Sequence, residues 1–108
     1  MGVAALVGAT ALAVSLGDRE LFVPPPDAVA EGFVREVITG RYSRAQEYLS
    51  EPRPEKELRA LRETLGHDPT EVEAEVISRT DEEALVNVRT TEAAVALALE
   101  FEGEWKIR

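Results

Sequence analysis

The chain of 108 residues carries 12 Lys plus Arg against 21 Asp plus Glu, a formal charge of −9, one His and no Cys, which allows one small domain. At 44% hydrophobic and 31% charged it has the apolar material for a core and is no disordered tail. The missing cysteines exclude disulfide frameworks, thiol nucleophiles and cysteine-ligated metal centres, and an acidic balance without a basic cluster argues against nucleic acid or an anionic membrane surface as partner.

Every charged side chain lies at Asp18 or beyond, so residues 1–17, MGVAALVGATALAVSLG, form a block of their own. The apolar run from Val3 to Leu16 is shorter than the roughly 18–20 residues of a spanning helix and matches the apolar region of a signal peptide. A signal normally begins with Lys or Arg, and here only Met1 and Gly2 precede the run, which points to a start further upstream or to weak targeting. Ala11 with Ala13, or Ala13 with Ser15, have the spacing a signal peptidase accepts, leaving a mature chain from about Val14 or Leu16. The alternatives are an uncleaved membrane anchor extended by Leu21, Phe22 and Val23, and a core helix of a cytoplasmic protein. Such a core helix would be apolar all round and would need more covering protein than follows it. Ala5, Ala9 and Ala13 share one helix face, a weak small-xxx-small pattern.

Pro24-Pro25-Pro26 closes a spacer over residues 18–26, and the domain proper spans 27–108. Asp27 is expected to cap a helix running to Thr39, with Val29, Phe33 and Val37 on one stripe, Ala30, Val34 and Ile38 beside them, and Gly40 as its stop. Ser43 and Gln46 form a capping box for a short second helix carrying Ala45, Tyr48 and Leu49 inward. Pro54 opens a third helix with Leu58, Leu61 and Leu65 on one stripe, a Glu55–Arg59 pair, and Gly66 as its stop.

From Val72 the period changes from 3.6 to 2. Val72, Ala74 and Val76 alternate with Glu71, Glu73 and Glu75, and Val86 and Val88 alternate with Asn87 and Arg89, joined by the polar tip Thr80–Glu83. A third strand sets Val95, Leu97, Leu99 and Phe101 on one face and Ala94, Ala96 and Ala98 on the other, and a fourth carries Trp105 and Ile107 after the Glu102-Gly103 turn. Helices followed by a run of strands predict an α+β fold: an N-terminal apolar helix, then two to three helices on a curved antiparallel sheet of about four strands. The core face should hold Val86, Val88, Val95, Leu97, Leu99, Phe101, Trp105 and Ile107.

Two segments, Gly40-Arg41-Tyr42-Ser43-Arg44-Ala45-Gln46-Glu47-Tyr48-Leu49 and Gly103-Glu104-Trp105-Lys106-Ile107, resemble the second helix and last strand of small exported members of the nuclear transport factor 2-like (cystatin-like) superfamily. The resemblance spans roughly Asp27 to Arg108 and implies a sheet wrapped round a long helix as a cone. Larger relatives enclose a ligand pocket there and include isomerases, dehydratases and hydrolases beside many non-catalytic modules. The lipid-anchoring Cys of lipoprotein relatives is absent here.

His67, in Gly66-His67-Asp68-Pro69, reads as a surface loop residue rather than a general base. Glu71, Glu73 and Glu75 stand about 7 Å apart along one strand face and point in parallel, which suits a solvated face better than a calcium site needing converging oxygens. There is no phosphate-binding glycine loop, no nucleophile elbow and no zinc-binding His pair. No residue is therefore assigned a catalytic, cofactor-binding or metal-ligating role. Tyr42, Tyr48 and Trp105 match anchor positions of the resembled fold, where packing accounts for them, with ligand contact as the alternative. Ala94, Ala96 and Ala98 break the expected pattern, because the second face of a half-exposed strand is ordinarily polar. That flat face suits contact with a second copy, with another envelope protein, or with the N-terminal segment. The reading is a non-catalytic, exported or membrane-anchored module acting through protein–protein or weak small-ligand contact outside the cytoplasm. The alternative is a small enzyme of isomerase or dehydratase type using the cone interior, and a third reading is a regulatory domain whose acidic sheet face meets a basic partner.

Overall fold

Three consecutive prolines decide where the first described helix begins. The structure, a computed structural model, describes residues 23–108; the expected apolar helix within 1–17 and its cleavage positions lie outside the described residues. Helix α1 runs Pro26–Ile38 with Pro25 as its N-cap in extended geometry. Asp27 does not cap it as expected but sits inside its first turn. The physical reason is that Pro26 is already set for the first helical position and carries no N–H to satisfy, so the carboxylate acts on the helix's positive end instead. Val29, Ala30, Phe33, Val34, Val37 and Ile38 are all buried, the stripe the periodicity called for. At the other end Gly40 takes φ of 80°, and Arg62 Nε donates to the Ile38 carbonyl at 2.8 Å, satisfying a group the helix itself cannot.

Helix α2 spans Tyr42–Gln46, with Arg41 before it and no side-chain cap. The expected Ser43–Gln46 box does not form because the Gln46 amide is used elsewhere: it donates to the Arg53 carbonyl and accepts from the Arg53 N–H, clamping the loop that follows. Helix α3 spans Glu55–Leu65 and stops at Gly66 with φ of 94°; the Glu55–Arg59 pair forms, Leu58 and Leu65 are buried, and Leu61 packs at the core's margin. Thr90 Oγ1 donates to the Leu65 carbonyl at 2.7 Å, fixing the end of α3 against the sheet. Among the described residues no helix is long and apolar enough to cross a membrane.

A 3-10 turn, Pro69–Glu71, precedes the sheet. Glu71 therefore lies in this turn and does not continue the Glu73, Glu75 row as expected, because Pro69 and the Asp68 side chain, which accepts from Thr70 N–H at 3.0 Å, bend the chain first. Strands β1 (Glu73–Arg79), β2 (Glu83–Arg89), β3 (Ala94–Phe101) and β4 (Trp105–Ile107) form an antiparallel meander in chain order. Leu49 makes a parallel bridge to Ile107, so the segment after α2 borders β4. The α+β architecture is as expected: three helices against a four-stranded antiparallel sheet.

Register shows which residues face the helices. Val86 opposes Val76 and Leu97, Val88 opposes Ala74 and Val95, Ala84 opposes Leu99, and Leu99 opposes Ile107. These pack with the α1 stripe, Leu58, Leu65 and Trp105 into one cluster. Phe101 departs from its expected burial at 41% exposed, because it ends β3 where the chain turns away. A bulge at Ile77 breaks the alternation of β1, so that Arg79 rather than Ser78 opposes Ala84 and turns to the core side.

Candidate functional site

Two surfaces stand apart from an ordinary solvated exterior. The first is the side of the sheet that the helices leave uncovered. Ala94 opposes Arg89, Ala96 opposes Asn87, Ala98 opposes Leu85, and Glu100 opposes Glu83 and Lys106, so the alanines do share one outer face. Ala94 and Ala96 are exposed, as is Leu85, and Ile77 protrudes from the bulged edge strand at 55% exposure. Pleating explains the arrangement: one face of β3 supplies the core and its other face holds three methyl groups before Glu100.

Charge flanks this apolar centre at both ends. Arg89 pairs with Glu73 at 2.6 Å across β1 and β2, while Arg108 reaches Glu83 at 2.8 Å and Glu100 at 3.1 Å. Glu100 also meets Glu102: the hydrogen bond between them, with Arg108 beside it, holds Glu100 below the usual carboxylate range, and the same bond raises Glu102. Of the outer-face groups, Glu73, Glu83 and Glu100 meet Arg89, Lys106 and Arg108 while Glu75 opposes Asn87, which leaves the face nearly neutral in a chain of net charge −9.

The second surface lies where the described chain begins. Val23, Pro24, Pro25, Arg79, Asp81, Phe101 and Trp105 line an open depression of about 350 Å³. Trp105 forms its floor at 4% exposure; the Phe101 ring stands edge-on to it with centroids 5.3 Å apart, and the Arg79 guanidinium lies 5.4 Å from its centroid. A smaller depression of about 210 Å³ shares Pro24 and Trp105 and adds Tyr48 and Lys106.

The three aromatic candidates therefore do not converge. Tyr48 and Trp105 border the same small hollow, whereas Tyr42 lies under Arg59, whose guanidinium is 5.8 Å from its ring centroid. Tyr48 packs at 6.5 Å from Phe33 and lies against Gly32 of α1. His67 is exposed in the loop after α3, and among the described residues no group of three His, Asp or Glu converges as a metal site. The side chains buried in the core are apolar throughout the described residues.

Sequence reasoning missed Phe101 and Arg79. Phe101 carried a usable signal, since it is the last strand residue before Glu102-Gly103 and so beyond the reach of a covering helix. Arg79 carried none, because its side is decided by the bulge, which alternation cannot show. No family model, curated protein or solved structure matches this chain.

Proposed function

We propose that the chain is a non-catalytic binding module of the cell envelope, exported or held there through residues 1–17, and that it associates through the outer face of its sheet. The single observation that carries this reading is the exposed patch of Ala94, Ala96, Leu85 and Ile77, flanked by Glu73, Glu83 and Glu100 in ion pairs with Arg89 and Arg108. A patch whose centre asks only the Asn87 amide, opposite Ala96, to give up water is suited to a protein partner, and a second copy is the simplest one. Near-neutrality at this face supports self-association, since the charge that would drive two copies apart lies elsewhere on the chain. The order of helices and strands is compatible with a nuclear transport factor 2-like roll, which is part of this proposal. The catalytic alternative would need the interior, and Phe33, Val34, Val37, Val86, Val88 and Leu99 occupy it.

Native mass spectrometry of the full chain from a mild detergent tests the reading. The expected result is a dimer that becomes a monomer in Ala96→Glu with unchanged circular dichroism. A wild-type chain that stays monomeric at high concentration, or a variant that dimerises equally, removes the interface. A stoichiometric small-molecule adduct would place ligand binding first.

A further inference from the structure

We infer that the Phe101–Trp105–Arg79 depression is a lipid-facing surface: the end of the domain that carries it lies on an uncharged, zwitterionic bilayer. This inference rests on the reading of residues 1–17 as a membrane anchor and adds to it an orientation and a lipid chemistry.

A short tether fixes which end of the domain meets the membrane. Val23 packs against the core and so does not extend an anchor as expected, and only residues 18–22 separate it from the apolar block. At full extension that segment reaches about 20 Å, less than the length of a small domain, so an anchor ending at Gly17 keeps the Val23 end of the domain close to the membrane. The α1 N-terminus, the turn after β1 and the turn after β3 meet here, and together they expose Phe101 at 41% beside Pro24 and Pro25, with Arg79 at the rim. An exposed aromatic ring on a tryptophan floor, with a long cationic side chain that can keep its head in the phosphate layer, has the chemistry of the membrane interface. One such contact is weak, but a short tether raises its effective concentration enough for it to be populated.

The charge of the same end chooses the lipid. Asp81 lines the depression with Arg79, and Glu47 and Glu104 line the adjoining hollow with Lys106, so a negatively charged surface is repelled and a zwitterionic one is not.

Trp105 is the chain's one tryptophan and makes the test direct. The full chain is reconstituted into phosphatidylcholine vesicles carrying a headgroup nitroxide lipid; flotation reports anchoring and Trp105 fluorescence reports proximity. The expected result is flotation with at least about a twofold loss of Trp105 emission, reduced in Phe101→Ser, retained in Phe101→Leu, and weakened when phosphatidylglycerol replaces part of the phosphatidylcholine. Chain that floats while Trp105 stays unquenched overturns the orientation and leaves the anchor standing. Chain that fails to float overturns the anchor, and the orientation falls with it. Quenching that rises with phosphatidylglycerol overturns the lipid assignment.

Discussion

Gly32 is the residue at which helix chemistry and packing disagree. A glycine inside α1 costs roughly 1 kcal/mol relative to alanine, so propensity alone favours Gly32→Ala. A Cβ there would sit 2.8 Å from the Tyr48 hydroxyl oxygen and 3.0 Å from a ring carbon, which pushes the ring off the helix. We expect Gly32→Ala to destabilise the domain by about 1 kcal/mol in urea unfolding, and to become stabilising in a Tyr48→Ala background, where only propensity remains. Asp68 gives a second residue-scale expectation. The Thr70 hydroxyl and backbone N–H both donate to its carboxylate and hold its pKa below the usual range. The lowered folded-state pKa means that this group contributes stability at neutral pH, lost as the pH falls through the usual carboxylate range toward its folded value. Thr70→Val should move the Asp68 carboxyl resonance back toward an ordinary titration, measured by NMR.

At the scale of elements, α3 and the four strands could be read from the chain because their signals are redundant: leucines at helical spacing between Pro54 and Gly66, then alternation from Val72 onward. What could not be read is where one group serves two purposes. The Gln46 amide could cap α2 or clamp Arg53, and only the fold brings Arg53 within reach. The outer alanine face was likewise legible as alternation, whereas the Arg108 contacts to Glu83 and Glu100 depend on a register no local pattern encodes. The bulge of β1 belongs to the same class. Because Ser78 pairs with Leu85 and Arg79 with Ala84 around the extra residue, deletion of Ile77 should restore plain alternation and leave Arg79 over Trp105. The expected outcome is unchanged tryptophan emission and a stability change within about 1 kcal/mol; a red-shifted emission would show that the bulge residue itself holds the register.

For the whole molecule, stability rests on one apolar cluster with helix α1 at its centre, in contact with α2, α3 and strands β1, β2 and β4. Phe33, 3% exposed on α1, faces this cluster, and Phe33→Ala should cost about 3–5 kcal/mol. A domain of this size has roughly 5–10 kcal/mol in all, so the variant is expected to sit near its unfolding midpoint at moderate temperature, seen by calorimetry. Surface ion pairs offset little of such a loss, since the pairs found here are largely exposed. The placement of α1 also bears on biosynthesis. This helix is made early, but the sheet that shelters its valine and phenylalanine stripe begins only at Glu73 and closes with Ile107. A nascent chain therefore leaves the ribosome with a sticky amphipathic helix and nothing to lay it on, a window in which holdase chaperones have a binding site that the finished protein no longer offers.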